Sequence, residues 1–103
     1  MAQDITNLLK KWHQHGELVE LGGHKIFVSE YGDSALPPLV LIHGFPTSSF
    51  DYAHLVPLIL PHRRMILLDF LGFGYSDKPR VHDYSLFEQA ALVEELANKR
   101  QLG

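Results

Sequence analysis

No cysteine occurs among the 103 residues. That excludes disulfides, thiolate nucleophiles and zinc sites built on cysteine, and it leaves the redox compartment open. Positive charge is scarce too. Nine Lys and Arg face twelve Asp and Glu, a formal net charge of −3 with histidine neutral. This balance carries no electrostatic footprint for nucleic acid or an anionic membrane, so no nucleic-acid partner is expected. No apolar run approaches the roughly 18 residues that cross a bilayer. Met1-Ala2-Gln3-Asp4 lacks the basic-then-apolar order of a secretory signal. The expectation is a soluble, intracellular protein. Internal repeats and low-complexity segments are also absent from the sequence.

What is present is a globular balance, 46% hydrophobic and 20% charged, in a length that suits one small domain. Ile5, Leu8, Leu9 and Trp12 recur at i, i+3, i+4 and i+7, which predicts an amphipathic docking helix over 1–16. Asp4 or Thr6 is placed to cap it and Gly16 to stop it. Glu17 to Leu21 and His24 to Tyr31 read as strands joined by a Gly22-Gly23 hairpin turn. Leu39 to Ile42 and Met65 to Asp69 are unbroken apolar strands of the kind buried on both faces of a parallel sheet. Between them, 48–60 reads as a helix capped by Thr47, Ser48 or Ser49, with Pro57 bending or shortening it. Ser85 with Glu88 three residues on is a capping box that opens a helix through Leu92, Val93, Leu96 and Ala97, with Gly103 a possible C-terminal cap. The order is helix, antiparallel hairpin, then β-α-β-α with parallel strands, an α/β class.

One short motif carries chemistry. His43-Gly44-Phe45 follows the apolar strand directly and leads through Pro46-Thr47-Ser48-Ser49 into a helical pattern. Such a turn suits oxyanion binding, because glycine lets a ligand approach the backbone and the turn aims a peptide N–H at developing negative charge. His13-x-His15 is too sparse for a metal site, and Gly72-x-Gly74 is not a nucleotide loop because Asp77 stands where that motif wants glycine. No metal or cofactor is expected. The dull reading of His43 is loop support through hydrogen bonds, and that of Asp69 is stabilisation of the Gly-rich loop.

Two linked stretches resemble the α/β-hydrolase superfamily. Leu41-Ile42-His43-Gly44-Phe45-Pro46 looks like its first signature, and Asp69-Phe70-Leu71-Gly72-Phe73-Gly74-Tyr75-Ser76 like its second, Asp-x-x-Gly-x-Gly-x-Ser after the fourth strand. The wider context, including Ser76-Asp77-Lys78-Pro79, is similar to the mesoderm-specific transcript branch and to epoxide hydrolases and haloalkane dehalogenases. The resemblance implies that 17–103 is the N-terminal part of an α/β-hydrolase domain, strands one to four with two helices. It implies a spatial strand order of 1-2-4-3 with the third strand at an exposed, incomplete edge. It places one oxyanion donor at the Phe45 backbone N–H, with Gly44 and His43 supporting the loop.

The family also needs a nucleophile on a sharp turn after the fifth strand, then an acid and a histidine. This sequence offers none in that order. Ser76 lacks the second glycine of such an elbow, and Ser48, Ser49 and Ser85 read as helix caps. The expectation is therefore a fragment or truncated form of a hydrolase, inactive alone. The resemblance implies a small-molecule ester- or epoxide-like substrate in the complete relative, and Pro46 leans toward the epoxide-hydrolase-like branch. The alternatives are a binding or self-associating module that uses the apolar strand edge, or half of an enzyme complemented by a separate C-terminal half.

Overall fold

The computed structural model describes residues 5–44, 47–80, 82 and 84–101. Helix α1 spans Ile5–His15. Strand β1 (Glu17–Leu21) and strand β2 (His24–Tyr31) form the hairpin. Its turn has φ of +57° at Gly22 and +78° at Gly23. Both values lie in the left-handed region that a two-residue turn matching strand twist requires, which is why two glycines stand there. Strand β3 is Pro38–Ile42, strand β4 is Arg64–Leu68, and helix α3 is Leu86–Lys99.

The four strands form one sheet in the order β1-β2-β4-β3. β1 and β4 each pair antiparallel with β2. β3 pairs parallel with β4 in the register Leu39 to Met65 through Ile42 to Leu68. β3 is therefore an edge, as the strand order expected.

Strand alternation divides the core in two. Ile26, Val28, Ile66 and Leu68 point to one face, where Leu92 and Leu96 of α3 cover them together with Leu21, Phe70 and Leu71. Phe27, Met65 and Leu67 point to the other, where Trp12 of α1 and Val56 cover them. β2 and β4 are thus buried on both sides, which explains why the β4 run lacks polar alternation. α3 is tied to the hairpin by the Gly22 N–H on Glu95 Oε2 (2.6 Å) and by Lys99 Nζ on the Glu20 carbonyl (2.8 Å).

One predicted element comes out differently. The single helix expected over 48–60 is two short pieces, a 3₁₀ turn Ser49–Tyr52 and a one-turn helix α2, Val56–Ile59. Ser48 caps the first, its Oγ accepting the Phe50 N–H. Pro57 falls in the first turn of the second, where its missing N–H costs nothing. Asp4 and Gly103, expected as caps, lie outside the described residues. Among the described residues, no helix is long and apolar enough to cross a membrane.

Candidate functional site

The loop after β3 leaves the sheet edge at His43 and Gly44. Phe45 and Pro46 lie outside the described residues, so the site is built from what surrounds them. His43 is 3% exposed, packed near the rings of Phe70 and Phe73 at 4.8 and 5.8 Å. Its Nε2 receives the Phe70 backbone N–H at 2.9 Å. An N–H can only donate, so Nε2 is the bare nitrogen and Nδ1 carries the ring proton. Nδ1 then donates to the Gly44 carbonyl at 2.7 Å. Both nitrogens are committed to backbone, one from each of the two loops that the sequence singled out.

The Gly44 carbonyl also accepts the Thr47 N–H at 3.2 Å and the Thr47 hydroxyl at 2.9 Å. Three donors thus converge on one oxygen. Gly44 itself is exposed, and a Cβ built on it meets nothing within 4 Å. The space above this backbone is open. Among the described residues, no packing contact requires a glycine here. Tyr52 closes the end of β3, its hydroxyl donating to the Ile42 carbonyl at 2.5 Å.

Asp69 binds the second signature to the first. Its carboxylate is 1% exposed. Oδ1 accepts the Ser49 N–H at 2.8 Å and Oδ2 the Tyr75 N–H at 2.9 Å. Two backbone N–H groups replace water around the buried charge, which is what makes its burial tolerable. The Gly-rich loop wraps this carboxylate so tightly that a Cβ at Gly74, where φ is +55°, would lie 2.1 Å from Oδ2.

The Ser76 hydroxyl is engaged by backbone on both sides. Buried, it donates to the Asp69 carbonyl at 2.5 Å and accepts the Phe27 N–H at 2.9 Å. The Ser49 hydroxyl, also buried, accepts the Trp12 indole N–H at 3.2 Å. The Ser85 hydroxyl accepts the Glu88 N–H at 3.1 Å. Ser29 is buried in the sheet, with a hydroxyl that has no partner among the described residues.

Three supports escaped the sequence reading. Gln89 makes a paired contact with Leu71, donating to its carbonyl and accepting its N–H, both at 3.1 Å. The signal was available: Gln89 shares the apolar stripe of Leu92 and Leu96 at i, i+3 and i+7, and a polar residue there wants a buried partner. The Trp12–Ser49 bond and the Thr47 contacts join residues through tertiary packing and a tight turn, and carry no periodic signature. A cavity of about 370 Å³ lies between α1 and α2, lined by Trp12, Tyr31 and Val56 among others. None of its lining residues belongs to the His43 loop.

With this geometry in view, likenesses to known proteins gain meaning. A family model for the alpha/beta hydrolase fold matches residues 37–103, which include both signatures. The mesoderm-specific transcript protein of Mus musculus is 48% identical over 102 residues, covering 96% of this chain and 30% of its own length. A haloalkane dehalogenase of Agrobacterium fabrum is 36% identical over 72 residues, covering 70% of this chain and 23% of its own. A solved haloalkane dehalogenase loop variant from Bradyrhizobium elkanii superposes with a TM-score of 0.75 at 31% identity, over 82% of this chain and 27% of that one. An alpha/beta hydrolase fold protein from Burkholderia ambifaria superposes at 0.72 and 33% identity, over 86% and 34%. The chain spans about 30% of the length of the mesoderm-specific transcript protein. Its mixed sheet, its two signatures and these likenesses agree, and the chain belongs to the α/β-hydrolase fold family.

Proposed function

We propose that this chain supplies the oxyanion-loop portion of a hydrolase acting on a small-molecule ester or epoxide, and that it does not turn over such substrates by itself. The supporting observation is the threefold grip on the Gly44 carbonyl by His43 Nδ1 and the two Thr47 donors. The Phe45 N–H is the proposed oxyanion donor, next in sequence to a glycine whose carbonyl is held and whose Cβ position meets nothing within 4 Å. Pre-set donors of this kind stabilise charge in a transition state without reorganising, and removing one typically costs about 10²–10³ in kcat.

Inactivity alone follows from the hydroxyls. A lone donor attacks nothing, and Ser48, Ser49, Ser76 and Ser85 are each engaged as caps or backbone partners. The test assays the purified chain against short p-nitrophenyl esters and a styrene-oxide-type epoxide. No turnover is expected. Turnover that persists through repurification and vanishes in Ser76→Ala refutes the proposal. In an active relative bearing this segment, Gly44→Ala is expected to lower kcat/KM by tenfold or more while leaving the melting temperature unchanged, because the new methyl meets no neighbour but enters the space a substrate oxygen must reach. Unchanged kcat/KM in a folded Gly44→Ala enzyme counts against the oxyanion role.

A second reading rests on β3. It is the sheet edge, and its terminal residue Ile42 is 47% exposed. An apolar edge of this kind pairs with another strand, from a second copy or from a separately supplied C-terminal half.

A further inference from the structure

Apart from the His43 loop, three side chains that ligate metals converge from the start of β2, the loop before α3 and the first turn of α3. His24 opens β2 just after the hairpin turn, His82 lies in the loop before α3, and Glu88 sits in the first turn of that helix. One ligand atom from each lies within 4.8 Å of the other two. The residues come from three separate segments, so their meeting is a product of the fold. It is enforced by the contacts that lay α3 along the hairpin, Glu95 on Gly22 and Lys99 on Glu20.

We propose that His24, His82 and Glu88 form a binding site for a divalent transition-metal ion, with zinc the ion that the donor set favours. Two imidazoles and one carboxylate suit zinc and its neighbours over magnesium or calcium, which want all-oxygen shells. A tetrahedral zinc has metal–ligand bonds of about 2.0–2.2 Å, so its ligand atoms lie roughly 3.3–3.5 Å apart. The cluster is already near this size. His82 Nε2 and Glu88 Oε1 stand 2.6 Å apart and must open by about 0.8 Å, while a separation at the 4.8 Å limit must close by about 1.4 Å. All three side chains are half-buried, leaving rotamer freedom for both movements.

The behaviour of Glu88 supports this reading. In a complete capping box its carboxylate would reach back to the Ser85 N–H. Here Ser85 does its half, but the Glu88 carboxylate is directed out to His82. A cavity of about 240 Å³ adjoins His24, lined also by Asp77, Lys78 and Pro79. It leaves His24 reachable from solvent. The Lys78 ammonium beside it is drawn to the Gly74 and Ser76 carbonyls, which moderates its repulsion of a cation. To ligate, His82 Nε2 must be bare, so the neutral ring carries its one proton on Nδ1 and the metal takes the Nε2 lone pair in place of the contact with Glu88.

The experiment titrates the full chain with Zn²⁺ by calorimetry and follows its melting temperature. One equivalent bound with a raised melting temperature is expected, and no comparable effect from Mg²⁺. A chain that gains cooperative structure only on adding Zn²⁺ gives the same support. His24→Asn and His82→Asn should each weaken Zn²⁺ binding by more than about tenfold, and His62→Asn should leave it unchanged. If His82→Asn fails to fold, Glu88→Gln takes its place and should weaken binding likewise. A role confined to fastening the loop would lower the melting temperature of the metal-free variants without altering Zn²⁺ affinity. That result, or no Zn²⁺ binding by the wild-type chain, overturns the proposal.

Discussion

Asp69 is held at four atoms. Its N–H donates to the Phe27 carbonyl, its own carbonyl accepts the Ser76 hydroxyl, and its two carboxylate oxygens take the N–H groups of Ser49 and Tyr75. It thereby fixes the end of β4, the 3₁₀ turn and the Gly-rich loop relative to one another. Gly74 is the residue most dependent on it. Any side chain there must adopt a left-handed backbone and displace the carboxylate, so Gly74→Ala is expected to destabilise by about 3 kcal/mol or more, strain and lost charged hydrogen bonds together. Urea unfolding with an unchanged m-value measures it. Gly44→Ala, with open space at its Cβ, is the paired control and should change stability by less than about 1 kcal/mol. The glycines of the two signatures were legible as glycines that matter, but not for which reason. Gly74 answers to the carboxylate of Asp69, five positions back in sequence, whereas Gly44 answers to no atom among the described residues. Ser49 shows the converse. Its sequence context marks it as one of three interchangeable caps. The structure gives capping to Ser48 and buries Ser49 under the Trp12 indole, a partner 37 positions away that no local rule points to.

The elements with strong periodicity were legible nearly to the residue: α1 from its apolar stripe, the hairpin from Gly22-Gly23, α3 from Ser85 and its Glu88. The crossover between β3 and β4 was not, because in sequence Pro57 reads as bending or shortening a single helix over 48–60. Its missing N–H instead marks the start of a second one. Helix α1 brings an element-scale consequence. Trp12 and His15 both stack on Tyr31, with ring centroids 5.5 and 3.9 Å away, and His15 Nε2 contacts the Glu30 carbonyl at 2.7 Å. Burial in this contact pushes the Tyr31 phenol up from 10.0 to about 12. The folded state thus favours the protonated phenol more than the unfolded chain does. The resulting stability is fully present below pH 10 and is lost as pH rises toward 12. Denaturant midpoints measured across that window should fall for the wild-type chain, and Tyr31→Phe should flatten much of the decline. An equal slope in the variant would place the alkaline sensitivity elsewhere.

At the scale of the whole molecule, the sheet order was legible through family resemblance, and hydrophobic pattern alone indicated only that β3 and β4 run parallel as neighbours. What neither revealed is how unevenly the two buried-looking strands are covered. β4 is buried along four of its five residues, whereas β3 is half-buried at its centre and exposed at both ends. The same apolar composition thus serves a central strand and an edge. This asymmetry decides where a charge belongs if the edge is to be tested. Val40 packs against the core beneath α3, so a charge there would harm folding as well as pairing. Ile42 lies on the same edge at 47% exposure, and a lysine there keeps its ammonium in water while opposing any strand that docks. Sedimentation velocity over a range of concentrations should show the wild-type chain associating and Ile42→Lys remaining monomeric with an unchanged circular dichroism spectrum. Mixed with a separately produced C-terminal half of a relative, Ile42→Lys should also assemble less well than wild type. A wild-type chain that is cooperatively folded and monomeric at every concentration would mean that the β3 edge is not adhesive, and the pairing expected of its bare backbone groups would then have to be opposed by the loops at its two ends, at Pro37 and at Tyr52 on the Ile42 carbonyl.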